Sequence, residues 1–137
     1  MPALLLDTHA WIWGVTGTPM SPRATRAITA ALGKGQLFLS ATSVWEAVTL
    51  GYQGVLKMAP TPHAWAMKAV EASGVAVEPM DASIAAEAAA LRATGPHKDG
   101  HDLTILVTAV QRRLHLVTRD AAVIRLASAR GVPVIEC

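Results

Sequence analysis

Four acidic residues of this chain fall at the ends of predicted strands or near the starts of predicted helices: Asp7, Glu46, Asp102 and Asp120. Asp7 ends the apolar run Leu4–Asp7, whose lack of polar alternation predicts a strand that is buried on both faces. Carboxylate oxygens are the ligands that Mg²⁺ and Mn²⁺ prefer. Four carboxylates in one cleft would raise one another's pKa values unless a cation neutralised them. If the fold brings them together, these residues therefore form a divalent-metal site.

Strands and helices alternate along the chain. The predicted strands are Leu4–Asp7, Leu37–Ser40, Val75–Val77, Leu114–Thr118 and a weaker Val132–Ile135. Helix starts are indicated by Ser21-Pro22, Thr61-Pro62, Asp81 and Asp120, and helix ends by Gly33, Gly74 and Gly131. Together these signals predict one α/β domain, residues 1–137, with a mainly parallel sheet of about five strands flanked by helices.

The connectivity of such a domain places the four acids at one edge. In right-handed β-α-β units each helix runs antiparallel to its strands, so helix starts share the carboxyl edge of the sheet with strand ends. Asp7 ends the first predicted strand, and Asp120 lies just past the end of the fourth. Glu46 lies in the first turn or two of the helix after the second strand, and Asp102 opens the predicted helix Asp102–Arg113. We therefore expect all four side chains at the carboxyl edge.

Each acid also has a purely structural interpretation. Asp7 is suited to cap the turn after its strand, and Asp120 is suited to be the N-cap of a helix. Ser43-Val44-Trp45-Glu46 matches a capping box, and Asp99 and Asp102 are typical of a helix start, where the dipole favours negative charge. These separate roles do not explain why all four acids should converge on one edge.

Composition excludes several classes of protein. The 137 residues are 52% hydrophobic, which is typical of a globular chain, and no apolar stretch approaches the ~18 residues that span a bilayer. The net charge of +2 permits contact with a polyanion without demanding it. The single cysteine, Cys137, excludes an internal disulfide, and no basic-then-apolar leader is present, so a cytoplasmic location is expected.

The histidines and tryptophans allow more than one interpretation. His97 and His101 are four residues apart, but Gly95-Pro96 and Gly100 argue against a regular helix there, and without nearby cysteines a zinc site is not expected. The tryptophans either stack on nucleobases, belong to the core, or line an apolar groove for a partner helix: Trp11, Trp13, Trp45 and Trp65.

Four segments, in this order and spacing, carry a family resemblance: Leu4–Trp13, Ser40–Glu46, His97–Leu106 and Leu116–Asp120. They resemble a PIN domain and, within that family, the VapC-type toxin ribonucleases of prokaryotic toxin–antitoxin pairs. The resemblance covers essentially the whole chain. It implies a Mg²⁺-dependent endoribonuclease, with Mn²⁺ as an alternative ion, that uses Asp7, Glu46, Asp102 and Asp120. It also implies a homodimer and a cognate VapB-type antitoxin that blocks the site.

One motif departs from the family pattern. Relatives often carry Asp-Pro-Phe-Asp-Arg where this chain has Asp99-Gly100-His101-Asp102-Leu103. The second aspartate therefore lacks the basic residue that follows it in relatives. Either Asp99 or Asp102 could then be the metal ligand. We expect Asp102 to be the metal ligand and Asp99 to be an auxiliary acid.

The resemblance also implies a mechanism, which is metal-assisted hydrolysis of a phosphodiester bond. One or two ions would be held chiefly by Asp7 and Asp102, with Glu46 and Asp120 completing the shell partly through water. Either Glu46 or Asp120 would orient or deprotonate the attacking water.

Four further residues have supporting roles in this hypothesis. Thr8 and Thr118 either hydrogen-bond the carboxylates or a phosphate oxygen, or simply stabilise their turns. Lys98 and Arg119 flank the acids in sequence and are expected to contact RNA phosphates. Base specificity must come from the surrounding loops and the dimer shape, which leaves transfer, ribosomal and messenger RNA as candidate substrates.

Other function classes fit less well. A haloacid dehalogenase-type phosphatase needs a second aspartate two residues after the first, where this chain has His9. A receiver-type phosphoacceptor domain needs an acidic neighbour that Asp7 lacks. The main alternative is a non-catalytic PIN-like module that binds RNA or protein and whose acids hold a structural metal ion.

Overall fold

A computed structural model of the protein describes residues 2–137. Within them the backbone forms five strands: β1 (Leu4–Leu6), β2 (Leu37–Ser40), β3 (Ala76–Glu78), β4 (His115–Thr118) and β5 (Val134–Glu136). The same residues form seven helices: α1 (Thr8–Thr16), α2 (Pro22–Gly33), α3 (Ala41–Tyr52), α4 (Pro62–Ser73), α5 (Ala82–Thr94), α6 (Gly100–Arg112) and α7 (Ala121–Ala129). All five predicted strands are present, with ends that differ from the prediction by at most two residues.

The strands form one parallel sheet in the order β3-β2-β1-β4-β5. β1 is central, and Leu5 pairs with Phe38 of β2 on one side and Leu116 of β4 on the other. The chain builds outward from β1 to β3 and then returns to the opposite side of β1 to form β4. Open parallel sheets bind ligands at the carboxyl ends of their strands where the order reverses in this way. The predicted α/β class is confirmed. Its topology indicates that a ligand would bind in the crevice after β1 and β4.

Helices cover both faces of the central strand. Leu4 and Leu6 pack with Trp11 of α1 in one hydrophobic cluster, while Leu5 packs with Leu106 of α6 in another. The three leucines are at most 3% exposed, which explains why their sequence shows no polar alternation. Burial of a leucine side chain stabilises the fold by about 1.5–3 kcal/mol. The buried strand β1 therefore fixes the position of Asp7, which directly follows it.

Local signals start and end the helices where the sequence predicts. The side chains of Ser21, Thr61 and Asp81 each accept a hydrogen bond from the backbone N–H three residues further on, at 3.1, 3.1 and 2.9 Å. Gly74 ends α4 with a φ of +71°, a left-handed conformation that glycine adopts without strain. These caps satisfy helix-end groups that would otherwise lack partners.

The predicted start of α6 is wrong by two residues. The helix begins at Gly100, and Asp99 is its N-cap, because the Asp99 Oδ1 accepts a hydrogen bond from the Asp102 N–H at 3.1 Å. Asp102 therefore lies within the first turn rather than at the helix boundary.

The longest helices, α5 and α6, have 13 residues each. No helix formed by residues 2–137 is long and apolar enough to cross a lipid bilayer.

Candidate active site

The structure places the four predicted acids at the carboxyl edge of the sheet. Asp7 follows β1 and caps α1, while Asp120 follows β4 and caps α7. Glu46 lies in the second turn of α3, which follows β2, and Asp102 lies in the first turn of α6. Asp120 thus caps a helix, as its structural interpretation proposes, and Asp7 caps a helix rather than only a turn. Both still lie at the edge where parallel sheets bind ligands. The two roles are compatible.

Asp7 is held by two hydrogen bonds. Its Oδ1 accepts from the Ala10 N–H at 2.8 Å, and its Oδ2 accepts from the hydroxyl of Thr118, a side chain that is fully buried. The Thr118 Oγ1 also accepts from the Asp120 N–H at 3.2 Å, so one hydroxyl links two of the acids. Burial raises the pKa of Asp7 above its ordinary value, and the nearby Glu46 carboxylate adds to this rise while the two hydrogen bonds oppose it.

The structure gives Thr8 and Glu46 other roles than the sequence indicates. The Thr8 side chain is 2% exposed, and its hydroxyl donates to the Ser43 Oγ at 3.0 Å rather than to a carboxylate. Ser43 is therefore a buried link between α1 and α3 and not a helix cap. The N-cap of α3 is Ser40, whose Oγ accepts from the Thr42 N–H at 3.1 Å. The capping-box interpretation of Glu46 is wrong, which leaves its carboxylate without a capping role.

The geometry separates the two competing aspartates of α6. Asp99 is 48% exposed, and its carboxylate is used in capping the helix. Asp102 is 25% exposed, and its Oδ2 lies 2.9 Å from the His97 Nε2. Burial raises the pKa of Asp102 to about 6, with the negative charges of Asp99 and Asp120 contributing and the His97 hydrogen bond opposing. Asp102 therefore combines burial with a raised pKa, as expected of a functional carboxylate.

Histidines surround the acids in a way that the sequence interpretation missed. His97 pairs with Asp102, while the His101 Nδ1 lies 3.8 Å from both the Glu46 Oε2 and the Asp99 Oδ1. His9 is near enough to Asp7 for its positive charge to lower the pKa of that carboxyl. The available signal was position, since His97 and His101 flank the Asp99–Asp102 segment. Their spacing in the sequence by itself indicates only a possible pair of zinc ligands.

The two cations predicted to contact RNA have local partners in the structure. The Lys98 Nζ donates to the Arg92 carbonyl at 2.7 Å. The Arg119 Nε donates to the Cys137 carbonyl at 2.9 Å, and its guanidinium lies 4.1 Å from the centre of the Trp13 ring. Arg119 thereby attaches the last residue to the segment after β4. Phosphate contact by either cation stays a prediction.

The acidic edge fits a divalent cation by charge and donor type. The Glu46 carboxylate raises the pKa of Asp7, and the Asp99 and Asp120 carboxylates raise the pKa of Asp102, so a bound cation would relieve this repulsion. Oxygen donors favour Mg²⁺ or Mn²⁺. Among residues 2–137 no three His, Cys, Asp or Glu side chains form a ready-made ligand group. The fit therefore lies in chemistry and charge, not in a preformed three-ligand geometry.

Sequence comparison identifies a family. The PIN domain family model matches residues 4–129, a span that contains all four acids of the edge. No curated protein matches the chain in sequence.

Solved structures share the fold over nearly the whole chain. A DNA-bound VapBC from Salmonella typhimurium is 19% identical, with a TM-score of 0.68 over 99% of this chain and 98% of that chain. A toxin–antitoxin complex from Klebsiella pneumoniae is 21% identical, with a TM-score of 0.62 over 96% and 95%. FitAcB from Neisseria gonorrhoeae is 25% identical, with a TM-score of 0.64 over 96% of both chains. With the family match over residues 4–129, the chain belongs to the PIN domain family.

Proposed function

We propose that this protein is the toxin of a type II toxin–antitoxin pair, a Mg²⁺-dependent endoribonuclease that hydrolyses RNA phosphodiester bonds. The observation that carries the proposal is the placement of Asp7, Glu46, Asp102 and Asp120 at the carboxyl edge where the strand order reverses. Membership of the PIN family, whose members are nucleases, gives that edge its reaction.

The proposed reaction is the attack of water on phosphorus. One water oxygen bonds to phosphorus, one water proton passes to a carboxylate, and the bond from phosphorus to the leaving ribose oxygen breaks. The leaving oxygen takes up a proton from solvent. Glu46 and Asp120 are the candidates for accepting the water proton, because Asp7 and Asp102 are assigned chiefly to metal binding.

Neighbouring side chains hold the acids in position for this reaction. The buried Thr118 hydroxyl orients Asp7, and the His97 ring orients Asp102. Asp7 and Asp102 would hold Mg²⁺, with Glu46 and Asp120 completing its shell. The bound ion would lower the pKa of water and stabilise negative charge on the phosphate.

Removal of divalent metal tests the activity. With a defined single-stranded RNA, cleavage should stop in excess EDTA and return with excess Mg²⁺ or Mn²⁺. An Asp7→Asn preparation purified in parallel controls for contaminating nuclease. Cleavage that resists EDTA would contradict the proposed mechanism, whereas RNA binding without cleavage in Mg²⁺ would indicate the non-catalytic module instead.

We further propose that a cognate VapB-type antitoxin covers the site, that the protein forms a homodimer, and that it acts in the cytoplasm. The solved neighbours, which include VapBC and a toxin–antitoxin complex, support the antitoxin part of this proposal. The product of a short reading frame next to the gene should co-purify with this chain and suppress its cleavage of RNA. Failure of this product to bind would remove the antitoxin assignment.

Light scattering of the isolated chain tests the homodimer and should give a dimer mass.

A further inference from the structure

A groove of about 390 Å³ lies beside the acidic edge. Its walls come from the start of α3, from Met80 in the segment between β3 and α5, and from the first turns of α6. The volume falls within the range of about 300–1,000 Å³ that is typical of small-ligand sites.

Trp45 forms one wall of this groove and differs from the other tryptophans. Trp11 is 1% exposed and packs edge-on against Trp65, with ring centres 5.9 Å apart. Trp13 lies under the Arg119 guanidinium. Trp45 is 70% exposed and therefore contributes little to the core. An aromatic surface this exposed, next to a flexible Met80 side chain that is itself 47% exposed, has the character of a binding surface.

The lining chemistry favours a flat, uncharged ligand. Within the described part of the chain, no carboxylate, lysine or arginine lines the groove. Its polar groups are the hydroxyls of Thr42 and Thr104 and the imidazole of His101. Such a surface offers stacking and hydrogen bonds without attracting a phosphate. A nucleobase has these properties, because every base has a face that stacks and edges that hydrogen-bond.

The groove is continuous with the acidic site. His101 lines the groove, and its Nδ1 lies 3.8 Å from carboxylate oxygens of both Glu46 and Asp99. Trp45 directly precedes Glu46 on α3, so the two side chains leave the helix about 100° apart, toward adjoining surfaces. An RNA strand with a phosphate at the acids would therefore place a neighbouring base at Trp45.

We propose that the groove formed by Trp45, Met80, His101, Thr42 and Thr104 binds one unpaired nucleobase next to the phosphate that is cleaved. This subsite rests on the proposed ribonuclease function and adds to it a surface that reads bases. It selects single-stranded RNA, because a base must leave its helix before it can stack on Trp45.

Binding of an oligoadenylate hexamer in EDTA tests the subsite directly, with a sugar-phosphate hexamer that lacks bases as the matched probe. The base-containing hexamer should quench the tryptophan fluorescence of the wild type, and the abasic hexamer should bind more weakly. Trp45→Ala should lose affinity for oligoadenylate by roughly tenfold or more, as is typical of a lost stacking contact. Trp45→Phe should restore most of that affinity, since a phenyl ring also stacks.

Tyr52→Ala provides the matched control variant. Tyr52 is also an exposed aromatic residue of α3, at 67%, but it does not line the groove. Its loss should leave oligoadenylate affinity at the wild-type value, as followed by fluorescence anisotropy of a labelled hexamer. Met80→Ala, which truncates another side chain that lines the groove, should weaken binding in the same direction as Trp45→Ala.

Several outcomes would overturn the subsite. Equal affinity of Trp45→Ala and the wild type would do so, as would equal binding of the two hexamers by the wild type. If Trp45→Ala changes the molar mass by light scattering but not the RNA affinity, the groove belongs to a second copy of the chain. An unchanged RNA affinity together with lost antitoxin binding would assign it to a peptide. Each of these leaves the metal-dependent cleavage assay intact, so a failed subsite and a failed ribonuclease assignment are distinguishable.

Discussion

Asp7→Asn should reduce RNA cleavage at least about 100-fold while leaving the fold unchanged. Asparagine has the size of aspartate, and its side-chain oxygen still accepts the hydrogen bond that the Ala10 N–H donates at 2.8 Å. It also remains a good N-cap for α1. The substitution therefore removes the negative charge beside Glu46, and it replaces the Oδ2 that accepts from the Thr118 hydroxyl with an amide N–H that can donate to the Thr118 oxygen instead. Initial rates with a fluorogenic RNA, and the circular dichroism spectrum, measure the two parts of this prediction.

Asp81→Asn is the control for this experiment. Asp81 is an N-cap like Asp7, since its Oδ1 accepts from the Ile84 N–H at 2.9 Å. The electrostatic environment of Asp81 has the opposite effect to that of Asp7. This hydrogen bond and the Arg112 guanidinium at 2.8 Å lower the pKa of Asp81, whereas burial raises the pKa of Asp7. We expect Asp81→Asn to cleave RNA at the wild-type rate. Wild-type activity in Asp7→Asn would show that the acidic site is wrongly assigned.

Asp102→Asn should abolish activity to a similar extent and yet stabilise the metal-free protein at neutral pH. The pKa of Asp102 is raised from 3.8 to about 6, mainly by burial, so the folded state holds the proton more tightly than the unfolded state. The wild type therefore loses stability as pH rises from about 4 to about 6, and this penalty remains above pH 6. The full shift corresponds to about 3 kcal/mol. Solvent at the 25% exposed side chain, and the lost attraction to the start of α6, reduce the expected gain to about 1 kcal/mol.

Urea unfolding in EDTA at pH 4 and pH 7.5 measures this effect. Asp102→Asn should have the higher free energy of unfolding at pH 7.5 and no advantage at pH 4. Added Mg²⁺ should stabilise the wild type and narrow the difference, because a bound cation removes the charge penalty. Asp99→Asn is the comparison variant, since Asp99 is 48% exposed and asparagine caps a helix equally well. A loss of stability in Asp102→Asn at pH 7.5 would contradict the prediction.

Much of the fold is predictable because its signals are local. The run Leu4–Leu6 predicts a strand buried on both faces, and the structure covers it with α1 and α6. Ser21-Pro22 and Thr61-Pro62 mark helix starts through contacts that reach only three residues along the chain. The edge position of the acids follows from the same alternation, since parallel strands share one carboxyl edge.

The incorrect capping-box interpretation of Glu46 shows that a local sequence pattern does not always predict the contacts of a side chain. Ser43 and Glu46 have the spacing of a capping box, yet α3 already begins at Ala41. The decisive contact is the hydrogen bond that Thr8 donates to the Ser43 Oγ from 35 residues away, and no local pattern encodes it. The Ser-x-x-Glu spacing is compatible with a capping box and with a buried serine inside a helix. Packing of α1 against α3 selects the buried serine.

The α/β alternation, the sheet edge that carries the acids and the family to which they point are all predictable from local patterns in the chain. The differences between those acids arise from the packing of distant segments. The tertiary structure placed Thr118 against Asp7 across 111 residues, used Asp99 as a cap, buried Asp102 beside His97, and left Trp45 exposed beside the acids. The physical reason is that secondary structure and capping depend on near neighbours in the chain. Burial and pKa values depend on which distant segments pack together.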